Sequence, residues 1–539
     1  MFAYTLPSGL PAGSRTVWSQ IPLQPWTATV VTPFSYSILE EVAKSAWYQY
    51  FDALGFAPMP RARVLRHYQG RVYQNLTLSA QRDAEAAAIE PLTLFLNGEP
   101  YPVAKGEKPG LLAGIKAGRN RKKLDSYLQE WGHNMATVLE RAQAWHAKTQ
   151  ELRWTQADIL QVMEEIERVG VPGFQAFFAA RHNLERAYNR LLWLTAAQQP
   201  FPTNLPLIQA ALCDVNSQVE ADMTTRLLEL GAMASKDDAL IAWLQRRDYA
   251  NWQTTVPSQG FLRATQAFLH DYGHRGMGEA EIRNLRWAED PELIFSTLLA
   301  YTAQRPQLPA KRTATEGVSR LLAKVAPGEQ KAAQQLLQKI HQLITLQSLA
   351  LHALAYIWAG TRQWALAAAK EARADQRLQM SDDVFFFTLE EMKQMMTGEW
   401  NISARQEIQA TCAQRRTAYA AWQSVQPAPL LIGDSEALVE PGLPGVGGQA
   451  RGLLRCWQGS DSLYGDRAII GTDHLDSGWS LVLPFVQAFV AADGAPFDPL
   501  VIAAGFWQLP TVLQLGADYR RLIEGAPIQV HGSSGQVEQ

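Results

Sequence analysis

About three hundred consecutive residues, from about 124 to 425, carry the apolar spacing of helices, and this tract constrains the fold more than any other feature. One helix begins at a capping-box-like pattern, residues 155–158, and its apolar positions share one face: Ile159, Val162, Met163 and Ile166. Gly170 is the predicted end of that helix. A longer helical tract extends from about Gly328 to Gln379. No fixed-period repeat is apparent, which argues against a solenoid.

The pattern is different at both ends of the chain. Residues 1 to about 110 are mixed, with a helix predicted from Ser37 to Leu54 and a short strand over residues 70–76. Residues 426–450 are rich in proline and glycine, and this composition predicts a linker. Short apolar runs then alternate with turns. The sequence thus predicts a mainly α large domain at 1–425, a linker at 426–450 and a small C-terminal α/β domain at 451–539.

Composition excludes several classes of protein. The chain has 49 Lys and Arg against 52 Asp and Glu, so no nucleic-acid partner is expected. Its three cysteines, Cys213, Cys412 and Cys456, are far apart, so neither disulfides nor a metal site are predicted. The chain start lacks a signal-peptide pattern, and no apolar run reaches about 18 residues. We therefore expect a cytoplasmic protein that does not interact with a membrane.

One polar run interrupts the helical tract: Tyr272-Gly273-His274-Arg275-Gly276-Met277-Gly278-Glu279, continuing through 286–291. Glycine permits tight turns, and arginine and glutamate make charge-assisted hydrogen bonds. Two interpretations follow, a structural junction between helices or an active site. His274 suits a general acid or base, and the alternative is a histidine bonded to a carboxylate.

Several motifs in the same order resemble a known family. They are the run at 272–291, the residues 383–388, Thr32-Pro33-Phe34, the residues 70–76, Thr472-Asp473 and Gly478-Trp479. Together they resemble phosphoenolpyruvate-synthase-like and rifampicin-phosphotransferase-like proteins. In that family an ATP-grasp domain phosphorylates a histidine on a small swivelling domain, which delivers the phosphoryl group to an acceptor. The resemblance implies that residues 1–425 are the helical acceptor-binding domain and that 451–539 are a degenerate swivelling domain.

The resemblance also implies a changed chemistry. No ATP-grasp domain precedes residue 1 and no P-loop is present, so we expect no cofactor in this chain and ATP use only through a separate ATP-grasp subunit. Asp498 stands where the family has its phosphohistidine. Aspartate can be phosphorylated as an acyl phosphate, and a solvated turn residue is the alternative. His474 is a replacement carrier candidate, with a surface histidine as the alternative.

Residues that would contact the substrate follow from the same resemblance. His274, Arg275 and Glu279 belong to the polar run, and Arg362 is the nearest basic residue downstream of the helix segment 345–352, which lacks the family's basic residues. Three functions stay open. The first is a non-catalytic or accessory homologue, a pseudoenzyme that binds a small molecule or a partner chain. The second is a phosphotransferase or ligase subunit working with a separate ATP-grasp protein. The third is a structural assembly component.

Overall fold

The computed structural model describes residues 3–7, 16–27, 29–54, 62–86, 93–103, 113–195, 204–215, 218–309, 314–456 and 467–539. Most of them are helical. The α-helices within these ranges are α1 Pro33–Ala53, α2 Leu76–Ala86, α3 Ala113–Glu151, α4 Gln156–Thr195, α5 Leu205–Ala211, α6 Gln218–Ala234, α7 Asp238–Arg246, α8 Trp252–Thr255, α9 Gln259–Tyr272, α10 Glu292–Gln304, α11 Thr315–Leu322, α12 Gln330–Ala374, α13 Leu389–Thr397, α14 Arg405–Gln423 and α15 Pro499–Trp507.

The centre of the helical region is α12, which packs against α3 and α4. All three are long, with 45, 39 and 40 residues. Gly360 lets the α12 backbone approach α3, because a Cβ there would lie 2.3 Å from the Trp145 ring. The segment Pro327–Ala374 is long and apolar enough to cross a membrane, but 89% of its most apolar window is buried within the protein. Burial of that kind is typical of a core helix.

The predicted end of α4 at Gly170 is wrong. The helix continues to Thr195 and even contains Pro172. Gly170 serves packing instead of termination, because a Cβ at this position would lie 2.7 Å from a methyl carbon of Val42 on α1. The predicted start of this helix is confirmed, because Thr155 and Asp158 exchange hydrogen bonds at the beginning of α4.

One sheet combines the start of the chain with residues beyond α14. Its strands, in spatial order β3-β4-β2-β7-β8-β1-β5-β6, are β3 Leu65–Tyr68, β4 Arg71–Asn75, β2 Val17–Ser19, β7 Leu430–Ile432, β8 Ser435–Val439, β1 Ala3–Thr5, β5 Thr93–Leu96 and β6 Glu99–Pro102. Strand β4 confirms the strand predicted at 70–76. Residues 430–439, assigned to a linker by composition, form β7 and β8, which pair with β2 and β1.

A second sheet forms the C-terminal part. Its spatial order is β15-β14-β10-β11-β12-β13-β9, with β9 Leu443–Pro444, β10 Gln449–Cys456, β11 Ile469–Thr472, β12 Ala488–Ala491, β13 Thr511–Leu513, β14 Pro527–His531 and β15 Gln536–Glu538. Strands β10 to β13 are parallel. A 3-10 segment, Ser477–Phe485, connects β11 to β12, and α15 connects β12 to β13. The architecture agrees with a mainly α region followed by a strand-rich α/β part.

Candidate functional site

The polar run at 272–291 follows α9 and folds back on itself. The backbone N–H groups of Trp287 and Ala288 donate to the carbonyls of Arg275 and Gly273, each at 2.9 Å. Gly276 permits this closure, because a Cβ there would lie 2.8 Å from the carbonyl oxygen of Leu285. The run is therefore a closed, rigid turn whose side chains point in fixed directions.

Arg275 ties this turn to two other parts of the chain. Its guanidinium is fully buried, forms an ion pair with Glu279 and lies 3.8 Å from Glu220 of α6. It also donates from Nη2 to Ser477 Oγ at 3.2 Å. Burial raises the pKa of Glu220, whose Oε2 accepts a 2.6 Å hydrogen bond from Ser348. The predicted substrate-binding residues Arg275 and Glu279 thus pair with each other inside the protein.

The C-terminal part docks on the turn through Asp476. Its carboxylate accepts hydrogen bonds from the N–H of Gly278 at 2.6 Å and from the N–H of Gly478 at 2.8 Å. Burial and the neighbouring Glu279 raise the pKa of Asp476 to about 6. A Cβ on Gly478 would lie 2.7 Å from the carbonyl oxygen of Gly276, so glycine is needed for this close contact. The turn acts as a junction between the helical region and the C-terminal sheet.

His274 is not bonded to a carboxylate among the residues that the structure describes, so that expectation is wrong. Its Nε2 lies 3.3 Å from Nδ1 of His352, and its ring stacks on Tyr356 with the centroids 3.3 Å apart. Both partners lie on α12. Burial, His352 and Arg275 lower the pKa of His274 well below the usual value, so the ring is neutral. A neutral, enclosed histidine accepts or donates a hydrogen bond but does not carry charge.

Arg362 binds the second half of the same turn. It donates to the Glu289 carboxylate at 2.8 Å and to the carbonyl oxygens of Ile282 and Arg283 at 3.2 and 2.7 Å. These contacts occupy Nε and Nη1. The structure therefore places this predicted substrate-binding residue in the scaffold of the junction.

Asp498 is not a solvated turn residue, and that interpretation is wrong. It precedes the first turn of α15 with only 1% of its surface exposed. Its Oδ1 lies 2.6 Å from Nη1 of Arg181, and its Oδ2 accepts from the Ala495 N–H at 2.7 Å. Burial raises the pKa of Asp498. One feature of the sequence does indicate a buried partner, since Arg181 lies in the middle of an apolar stretch of α4.

The loop before Asp498 is held by the helical region as well. The carbonyl oxygens of Pro496 and Phe497 accept hydrogen bonds from Gln209 at 2.6 Å and from Gln347 at 3.3 Å. The Phe497 ring lies 5.3 Å from the ring of Tyr188 and 4.3 Å beneath the Arg181 guanidinium. A phosphoryl group on Asp498 would have to displace Arg181, so this arrangement is closed to the transfer reaction unless the loop moves away.

His474 lines a cavity instead of an open surface. It is half-buried and shares a cavity of about 230 Å³ with Arg71, Asp473 and Asp493. Burial and the positive charge of Arg71 lower the pKa of His474 to about 4. Arg71 and Asp493 are far apart in the chain, so local patterns in the sequence do not reveal that they line the same cavity. The described residues contain no group of histidine, cysteine and carboxylate side chains arranged to hold a metal ion.

Comparison with known proteins places these features in context. Residues 165–348 match a family model described as the rifampicin phosphotransferase fourth domain. The rifampicin phosphotransferase of Streptomyces sviceus is 26% identical over 353 residues, which are 59% of this chain and 40% of the relative. That of Bacillus cereus is 22% identical over 359 residues, 60% of this chain and 40% of the relative. An uncharacterised protein of Mycobacterium tuberculosis is 24% identical over 333 residues, 59% of this chain and 36% of the relative.

The matched region spans about two-fifths of the length of these curated relatives. The stretch 165–348, which matches the family model, includes Arg181 on α4, Glu220 on α6, the junction at 272–291 and the first part of α12. The junction is the motif on which the sequence resemblance rests most strongly. Over these stretches the chain is similar to rifampicin phosphotransferases, and its residues 165–348 are similar to their fourth domain.

Proposed function

We propose that this chain is an accessory, non-catalytic member of its family that binds a small molecule or a partner chain and does not carry a phosphoryl group. The observation that supports this most directly is the buried ion pair between Arg181 and Asp498. A phosphoryl carrier must present its acceptor oxygen to a donor and then to an acceptor. Here the carboxylate at that position is already paired with an internal cation, which stabilises the docked loop instead.

The surrounding residues support the same proposal. Transfer of a phosphoryl group relies on cations directed at the transferring oxygens. Arg275 and Arg362, the basic residues nearest the junction that were considered for substrate binding, are paired with Glu279 and Glu289. Their charges are therefore already neutralised within the scaffold. A cytoplasmic location is part of the proposal and is supported by the burial of the apolar segment of α12.

A second candidate is a phosphotransferase or ligase subunit that works with a separate ATP-grasp protein. Two relatives are named as rifampicin phosphotransferases, which favours this alternative. In that case His474 is the better carrier, because it lines a cavity whereas Asp498 is enclosed. The two candidates differ in one observable, a covalent phosphoryl group on the protein.

Phosphate labelling separates the candidates. The purified chain is incubated with ATP labelled at the γ-phosphate and with ATP-grasp proteins, and a rifampicin phosphotransferase from a relative serves as the positive control. We expect label on the control and none on this chain, whether the acid-labile or the base-labile phosphoprotein is measured. Label on this chain that disappears in Asp498→Asn or His474→Gln, but persists in the variant Asp434→Asn of an exposed aspartate outside the cavity, would overturn the accessory role and identify the carrier.

A further inference from the structure

The cavity beside His474 is lined by residues of both sheets, among them an arginine and a buried carboxyl group that do not form an ion pair with each other. Arg71 begins β4 of the first sheet, and Asp493 follows β12 of the second sheet. Both line the cavity of about 230 Å³, together with Asp473, His474, Glu436 and Arg520. Within the described part of the chain, Asp493 and Asp473 act on Arg71 through their charges, and neither forms a hydrogen bond with its guanidinium.

Asp493 is the counterpart of this unpaired cation. Its Oδ1 is shielded from solvent and makes no hydrogen bond of normal geometry, although the Gln24 amide lies nearby. Burial raises the pKa of Asp493 well above the usual value, and the negative charges of Asp498 and Asp473 act in the same direction, while Arg71 opposes them. Buried ionisable groups in proteins are normally paired, so an arginine and a carboxyl group that line one open cavity without pairing indicate space for a molecule that interacts with both.

The charges around the cavity define what such a molecule must carry. An acidic group suits Arg71, because a guanidinium holds a carboxylate through two parallel hydrogen bonds. A simple anion would also face Asp473, which repels it, and would leave the Asp493 carboxyl group without a partner. A simple amine would leave Arg71 unpaired. Three other charged groups of the cavity already have partners, since Glu436 accepts from Tyr68, Arg520 donates to Gln426 and Asp518 pairs with Arg521.

We propose that this cavity binds a small zwitterion of the α-amino acid class, with its carboxylate on Arg71 and its protonated amine on Asp493. The cavity is large enough for a molecule of that size and is much larger than a single ion or water molecule requires. The ligand would join the first sheet to the loop that leads to Asp498 and thereby stabilise the docked arrangement. The inference deepens the accessory role, on which it rests, by assigning a ligand class and a site.

Isothermal titration of the full chain with each of the twenty standard amino acids tests the site. Propionate and propylamine are included as probes that carry only the acid or only the amine. We expect at least one amino acid to bind with a dissociation constant below about 1 mM, and both single-charge probes to bind at least tenfold more weakly. Absence of binding by all twenty amino acids, or equal binding of a single-charge probe, overturns the proposal.

Variants locate the binding. Arg71→Gln and Asp493→Asn should each weaken the amino acid at least tenfold, whereas Arg66→Gln should leave it unchanged. Arg66 is the matched control because it lies on the neighbouring strand β3 and pairs with the exposed Asp434. Binding that survives both cavity variants places the ligand elsewhere and overturns the assignment. A thermal melt shows whether each variant folds. If one of them does not, the other variant and the single-charge probes still test whether the amino acid binds in this cavity.

Proton release gives an independent measurement. The amine of a bound zwitterion would favour the ionised form of Asp493, so a proton leaves the carboxyl group when the ligand binds. The apparent binding enthalpy should then change with the ionisation enthalpy of the buffer, and Asp493→Asn should abolish that dependence. These outcomes are separate from phosphate labelling. Labelled protein would contradict the accessory role without affecting the site, and a lack of amino acid binding would contradict only the site.

Discussion

Arg181 Nη1 lies 2.6 Å from Asp498 Oδ1, and only 2% of each side chain is exposed to solvent. This ion pair joins the middle of α4 to the start of α15, more than three hundred residues further along the chain. At the position where the family resemblance implies a phosphorylated residue, the structure therefore has an internal contact that holds the C-terminal part against the helical region.

Removing one partner of this pair should be strongly destabilising. Arg181→Leu leaves the Asp498 carboxyl buried without its cation, and we expect the free energy of unfolding to fall by about 3–5 kcal/mol. The double variant Arg181→Leu, Asp498→Leu removes both charges and should recover much of that loss. Chemical denaturation of the wild type, the two single variants Arg181→Leu and Asp498→Leu, and the double variant measures the effect. A double variant as unstable as the sum of its two single changes would show that the ion pair is not the cause.

Arg275 should be a stability determinant more than a ligand contact. Arg275→Ala leaves Glu220 and Glu279 buried without a cation, so we expect a loss of several kcal/mol in the free energy of unfolding. Arg521→Ala is the control, because its ion pair with Asp518 lies at the surface, where such pairs contribute about 0–1 kcal/mol. Thermal melts measure both variants. An unchanged melt for Arg275→Ala together with lost ligand binding would assign the residue to a binding site.

Asp476 should make the stability depend on pH. Its pKa is about 6 in the folded protein and about 3.9 in an unfolded chain, so the folded state holds the proton more tightly. The unfolded state therefore binds fewer protons between these values, and the stability contributed by this group falls as the pH rises from about 4 to about 6. The shift corresponds to at most about 3 kcal/mol at neutral pH.

Asp476→Asn isolates this contribution from the other carboxyl groups. The difference in unfolding free energy between the wild type and the variant should change by up to about 3 kcal/mol between pH 4 and 7, with the wild type losing stability relative to the variant. Loss of one acceptor oxygen in the variant adds a constant offset and leaves the slope unaffected. Denaturation curves across this pH range provide the measurement. A difference that does not change with pH would show that Asp476 is ionised throughout.

Local patterns in the sequence were sufficient for much of the secondary structure. The capping pattern at Thr155 and Asp158 marks the start of α4, and the strand predicted at 70–76 is β4. Glycines were harder to interpret. Gly170 signals a helix end in isolation, but in the structure it makes room for Val42, because close approach of two helices also requires a residue without a side chain.

The candidate site residues were likewise predicted only in part. Residue types predicted charge-assisted hydrogen bonds within the run at 272–291, and Arg275 and Glu279, which were expected to contact a substrate, form such a pair with each other. The environments of Asp498 and His474 were not predicted, since a single aspartate or histidine between prolines and other polar residues reads as surface. Their partners Arg181 and Arg71 are hundreds of residues away, and no periodicity connects such distant positions.

Local propensity, hydrophobic spacing and contiguous motifs were sufficient to predict the helical region, the strand-rich C-terminal part and the motif at 272–291. Tertiary structure alone decided that the segment at 430–439 completes the first sheet, that Arg181 neutralises Asp498, and that Arg71 faces Asp493 across a cavity. The physical reason is that burial and pairing of charges depend on distances between elements, which chain order does not specify.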